Sequence, residues 1–279
     1  MQNSNNSLEK ENSDMSITSL ISNVNKFQRE HLQPILVGQP NFRDLGNYQT
    51  SFGKKTKTNL VYRSGDFSNL KDIDIQVLNE KALTTIIDFR SEEERVERKS
   101  IYPESIENKI YLPLNPGNLS RNKVEQIIYN GDVKATHQLL LDINEMLVLE
   151  GQSQYKAFFQ QLQNTSNPMP LMFNCTAGKD RTGLAAALFL SALGVQEQDI
   201  IEDYLLTNNN LGFTASELKD LFNLQNSNQA DALYTLLSVK EDYIQNALRT
   251  IRKNYATTES FLVNQLGVDI GKMQELYTV

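Results

Sequence analysis

Asn174-Cys175-Thr176-Ala177-Gly178-Lys179-Asp180-Arg181-Thr182-Gly183 is the stretch on which the reading of this 279-residue chain turns. Ahead of it, Pro170-Leu171-Met172-Phe173 is a short apolar run bounded by proline, the pattern of a buried strand. Behind it, Leu184 to Leu193 is an almost unbroken apolar, alanine-rich run closed by Gly194, the pattern of a buried helix with a glycine C-cap. A strand, a tight loop of small residues and a helix N-terminus make an anion site. Successive loop N–H groups and the positive end of the helix dipole converge there on one point. The same field favours thiolate over thiol, so Cys175, the one cysteine of the chain, stands where a nucleophile is wanted. Arg181 adds a planar fork matched to two phosphate oxygens. A lone cysteine is ordinarily a small buried hydrophobe, and its spacing to an arginine alone recurs by chance. The strand before, the small residues within and the helix after decide for a phosphate cradle with a nucleophile at its floor.

Outward from the loop, Thr84-Thr85-Ile86-Ile87-Asp88 is β-branched and apolar, a buried strand ending on a carboxylate, and Ser91-Glu92-Glu93-Glu94-Arg95 opens a charged helix with first-turn glutamates. Pro40–Tyr48 and Leu60–Gly65 read as two strand-like runs flanking the polar stretch 50–57, a hairpin or a looped pair. Ile35-Leu36-Val37 and Lys109–Leu114 are further strand candidates, and Asp72–Lys81 is a helix candidate. Residues 120–164 read as two or three helices, and everything after the cysteine loop as helices: Gln196–Asn208, Ala215–Leu224, Ala230–Leu237, Glu241–Tyr255, Glu259–Leu266 and Gly271–Leu276. Residues 1–15 have the composition of a disordered tail, and Ile17, Leu20, Ile21, Val24 and Phe27 fall at helical spacing. Strands separated by helices predict an α/β fold: a central, mostly parallel sheet flanked by helices, with extra helices at the C-terminal end. The expected layout is one domain over 16–279. Ligands of such sheets bind at the carboxyl ends of the strands, where the cysteine loop and Asp88 both fall.

Composition bounds the function. The net charge of −7 offers no basic stripe, which excludes nucleic acid as a partner. His31 and His137 are the only histidines and neither belongs to a metal-ligand pattern, so no metal and no cofactor is expected. No apolar run is long enough to span a bilayer. The N-terminus lacks a basic region followed by an apolar one, so the expectation is a cytoplasmic protein, with secretion by a non-standard route left open.

Cys175–Gly183 resembles the phosphate-binding loop of cysteine-dependent phosphatases. With Asn41–Gly46, Tyr62-Arg63-Ser64-Gly65 and Ile87-Asp88-Phe89-Arg90-Ser91, the chain is similar to one bacterial branch of them, the atypical tyrosine/dual-specificity phosphatases of mycobacterial and Listeria type. The likeness runs from about Asn41 to Leu276. It implies a cysteine-dependent phosphatase fold and two-step phosphoryl transfer without metal. Cys175 attacks phosphorus, Arg181 and the loop N–H groups of Thr176, Ala177, Gly178 and Lys179 hold the oxygens, and water cleaves the phosphocysteine. Implied substrates are phosphorylated proteins, foremost phosphotyrosine, and phosphoinositides.

The proton donor for the leaving group is open between two residues. Asp180 lies inside the loop, where a structural carboxylate would be costly. Asp88 closes a strand at the right edge, but it can equally cap the following helix or pair with Arg90. Thr182 reads either as the hydroxyl that stabilises the departing thiolate or as a helix-start residue. Lys179 reads as a hint of substrates with several phosphates or as a solvated lysine at the rim. Arg43, Asp44 and Arg63 are expected to brace the cradle by ion pairing. Residues 211–250 read as extra packing or as a mobile lid.

One departure stands out. The family usually has histidine before the cysteine, and this chain has Asn174, which donates hydrogen bonds but carries no positive charge. That departure keeps alive a rival, a weak pseudophosphatase that binds phosphorylated partners. A sulfur-transfer or arsenate-reducing reading fits poorly, because reduction calls for a resolving cysteine and there is none.

Overall fold

A computed structural model describes residues 35–115, 121–210 and 212–279. The tail at 1–15 and the amphipathic segment around Ile17–Phe27 lie outside the described residues.

Among the described residues, five strands form one sheet: β1 (Arg43–Asp44), β2 (Val61–Ser64), β3 (Thr85–Asp88), β4 (Asn108–Tyr111) and β5 (Leu171–Asn174), in the order β1-β2-β5-β3-β4. Among these five strands only the β1–β2 pair is antiparallel, so the mostly parallel sheet is as the sequence predicts and the paired runs are joined by a loop. β5 is central and buried along its whole length, consistent with an apolar run that does not alternate. Its register sets the site: Asn174 pairs with Ser64 on one side and with Asp88 on the other. The C-terminal residues of three strands therefore share one row.

Alternation divides the core between the faces. Val61, Ile87, Leu171 and Phe173 point into the larger cluster, while Tyr62, Ile86 and Met172 point into the smaller. The smaller face is covered by α1 (Asp72–Glu80) through Leu78. α2 (Glu92–Glu97) follows β3. The remaining helices are α3 (Arg121–Tyr129), α4 (Val133–Glu150), α5 (Gln152–Gln163), α6 (Asp180–Ala192), α7 (Glu197–Asn209), α8 (Ala215–Leu221), α9 (Ser227–Leu237), α10 (Glu241–Tyr255), α11 (Thr258–Ser260) and α12 (Ile270–Tyr277). Leu218, Leu224 and Leu233 from the 211–250 region are buried in the larger cluster.

α6 begins at Asp180, four residues ahead of the apolar run, and ends in a Schellman motif. Gly194 has φ +74°, its N–H bonds Ser191 O at 3.0 Å, and the Val195 N–H bonds Leu190 O at 3.0 Å.

One expectation needs correction. Ile35-Leu36-Val37 is not a strand: the Val37 and Gly38 N–H groups are taken by the Asp74 carboxylate at 2.6 and 2.9 Å, leaving no ladder to join. Glu259–Leu266 is helical as expected, with α11 passing into a π-helical turn over Phe261–Gln265.

Candidate active site

The loop Cys175–Lys179 fills the gap between β5 and α6, and Cys175 is 3% exposed at its start. The loop carbonyls are engaged on the outside. Asp66 N–H donates to Thr176 O at 3.0 Å, Asn41 Nδ2 to Ala177 O at 3.0 Å and Gly178 O at 3.1 Å, and Arg63 Nη2 to Gly178 O at 2.9 Å. In a trans peptide the next N–H points opposite to the carbonyl. Holding three carbonyls outward therefore turns the N–H groups of Ala177, Gly178 and Lys179 inward, as an anion cradle requires. Gly178 has φ +72°, and a Cβ there would come within 2.4 Å of the Ser64 carbonyl carbon, so only glycine lets the loop lie against β2.

Arg43 and Arg63 brace the loop through Asp203 of α7. Asp203 Oδ1 accepts from Arg43 Nε at 2.9 Å and Oδ2 from Arg63 Nη1 at 2.6 Å. Burial pushes the Asp203 carboxyl up, but the two guanidinium groups outweigh it and hold it down at about 2. Asp44 takes no part in this brace. Its oxygens accept from Gly46 and Asn59 N–H at 2.9 and 2.6 Å, which shapes the β1–β2 connection, and burial raises its pKa.

Arg181 is held by a residue that motif reading passed over. Glu94 Oε2 accepts from Arg181 Nη1 and Oε1 from Nη2, both at 2.7 Å, a bidentate pair. Thr176 Oγ1 also donates to Glu94 Oε1. Burial pushes the Glu94 carboxyl up, and the Arg181, Thr176 and Ser91 hydrogen bonds bring it down to about 2. The detectable signal was the Ser91-x-x-Glu94 capping box. It folds the Glu94 side chain back toward the end of β3, where Arg181 waits. Asp203 and Asn41 carried no comparable signal.

Asp88 is 1% exposed and its carboxylate is occupied by Arg90: N–H at 2.9 Å, Nε at 3.0 and 3.1 Å, Nη2 at 2.8 Å. Asn174 Nδ2 adds a donor to Asp88 at 3.2 Å and also bonds Cys175 O at 3.1 Å. Asp180 stands at the first turn of α6, its side chain 15% exposed. Tyr204 Oη lies at 3.4 Å and Asn144 Nδ2 at 3.5 Å from Oδ1, and Lys179 Nζ at 3.6 Å from Oδ2. Thr182 is fully buried in that turn with its hydroxyl unpartnered. Lys179 is not at the rim: it is 7% exposed, and its ammonium donates to the Leu236 and Ser238 carbonyls beyond the site.

The tyrosine phosphatase family profile matches residues 35–278. The chain belongs to the tyrosine phosphatase family. It is 27% identical over 239 residues to a candidate tyrosine-protein phosphatase of Cupriavidus necator, covering 85% of each chain. It is 22% identical over 256 residues to the triple specificity protein phosphatase PtpB of Mycobacterium tuberculosis, covering 81% of this chain and 91% of that one. Among solved structures it is similar to TpbA of P. aeruginosa, with 15% identity over 68% of this chain and 95% of that one and a TM-score of 0.34. No helix among the described residues is long and apolar enough to cross a membrane.

Proposed function

We propose that the chain is a protein-tyrosine phosphatase working through a phosphocysteine. The Cys175 thiolate attacks the phosphorus of phosphotyrosine, and the P–O bond to the tyrosyl oxygen breaks. That oxygen takes a proton from Asp180. Water then attacks the phosphocysteine, giving its proton back to Asp180, and inorganic phosphate leaves with Cys175 restored. The observation that carries this reading is the outward fastening of the Thr176, Ala177 and Gly178 carbonyls, which aims three N–H groups at one oxyanion beside Cys175.

Asp180 is preferred to Asp88 as the acid. The Asp88 carboxylate is taken up by the Arg90 fork and Asn174, and protonating it would remove the nearest counter-charge of a buried guanidinium. Asp180 meets only long contacts and keeps some exposure. The unpartnered Thr182 hydroxyl supports its role as donor to the departing thiolate. The relative PtpB, a triple specificity protein phosphatase, supports a substrate range wider than phosphotyrosine.

Phosphate release from phosphotyrosine peptides, comparing wild type with Cys175→Ser, tests this. Release by wild type, abolished in the variant, with acid-stable label trapped on Cys175, is the expected result. No release, with equal peptide binding by both proteins, would hand the chain to the rival reading of a phosphate-binding pseudophosphatase, for which Asn174 speaks.

A further inference from the structure

The ammonium of Lys179 has three donors and no acceptor capacity. It donates to the carbonyl oxygens of Leu236 and, at 3.0 Å, Ser238, with the Asp180 carboxylate at 3.6 Å. Those carbonyls close the C-terminal end of α9, where unpaired acceptors and the negative end of the helix dipole collect. The segment beyond is itself pinned. Asn208 Nδ2 donates to Val239 O at 2.8 Å, and Val239 N–H returns to Asn208 Oδ1 at 2.9 Å. A lysine that swung out to a substrate phosphate would abandon two buried carbonyls, each then unsatisfied.

Resting on the phosphatase reading, we propose that Lys179 is a positioning residue that clamps the phosphate loop to the C-terminal end of α9. It lends no charge to a second phosphate of a substrate. The loop then recognises one phosphate group, as on a protein tyrosine. Its sequence advertises a cation that the fold has already spent.

The test uses the full chain with Lys179→Met and Lys179→Gln on two substrates, a phosphotyrosine peptide and a short-chain phosphatidylinositol bisphosphate. The lipid-to-peptide ratio of kcat/KM is expected to stay within about twofold of wild type in both variants. Glutamine, which still donates N–H groups to the α9 carbonyls, is expected to retain more activity on both substrates than methionine. A fall of about tenfold or more in the ratio, the size of a lost charged contact to a second phosphate, would overturn the proposal. Where the methionine variant fails to fold, the glutamine ratio decides alone. Wild type and Lys179→Gln that both turn over peptide but no lipid meet the expectation. If wild type turns over neither substrate, the phosphatase reading has failed and the clamp is read from binding. An unchanged preference of Lys179→Gln between inorganic phosphate and an inositol bisphosphate supports it, and a loss of about tenfold for the bisphosphate alone overturns it.

Discussion

Glu94 grips Arg181 through two parallel contacts of 2.7 Å, and the same carboxylate caps α2 by accepting from the Ser91 N–H at 2.9 Å. One residue thus ties the start of a surface helix to the arginine at the start of α6. Burial works against the charge of Arg181, but Glu94 outweighs it and holds the guanidinium pKa above its ordinary value.

Glu94→Gln separates the two roles, because glutamine still serves a capping box. Its kcat/KM toward a phosphotyrosine peptide should fall about 10–100-fold, and about 2 kcal/mol of stability should go with the charge that pairs Arg181. Glu94→Ala should add a loss of about 1 kcal/mol in stability from the missing cap. Equal stability of the two variants would show that the cap contributes nothing.

Asp180→Asn should lower kcat on phosphotyrosine by about 10²–10⁴-fold, and far less on an aryl phosphate whose leaving group needs no proton. Asp88→Asn should instead show mainly as lost stability, since it leaves the buried Arg90 guanidinium short of its partner. A leaving-group dependence confined to Asp88→Asn would reverse the assignment.

Gly178→Ala places a side chain at φ +72° and 2.4 Å from the Ser64 carbonyl carbon. We expect a loss of about 2 kcal/mol or more in urea unfolding, together with most of the activity. An alanine variant of wild-type stability and rate would mean that the loop does not lie against β2.

Acid should weaken this fold in a defined window. Asp203 and Glu94 each titrate at about 2 in the folded chain, below the ordinary carboxyl range of about 4. A depressed folded pKa contributes stability that is complete above the unfolded value and is lost as pH falls through the folded one. Each carboxylate is therefore worth of order 2 kcal/mol near neutrality, lost between about pH 5 and 2. Urea unfolding across that range should show the decline, and Asp203→Asn should flatten it. Wild-type stability that holds level down to pH 2 would contradict the ion pairs.

Asn174→His places a group that can be cationic beside Asp88 and beneath Cys175, where asparagine supplies only neutral donors. Alkylation of Cys175 by iodoacetate below neutral pH should speed up several-fold. Identical rates would remove Asn174 as a brake on the nucleophile.

The chain announced its centre locally. An apolar run, five loop residues and an alanine-rich helix are neighbours in sequence, so strand, cradle and Cys175 were legible, and so was the meeting of Asp88 with the loop at one sheet edge. Ile35–Val37 misled because β-branched residues say nothing about a distant Asp74 that captures their N–H groups. Which charges would pair was equally invisible. Asp203 lies 140 positions from Arg63, Asn41 136 positions from Ala177, and Lys179 59 positions from Ser238. Local hydrogen bonds and hydrophobic period are written in adjacent residues, so the sequence by itself determined the sheet, the loop and the place of Cys175 at its start. Ion pairs form between whatever the fold brings within about 4 Å. Only the tertiary structure decided that Glu94 holds Arg181, that Asp203 joins two arginines behind the loop, and that Lys179 faces inward.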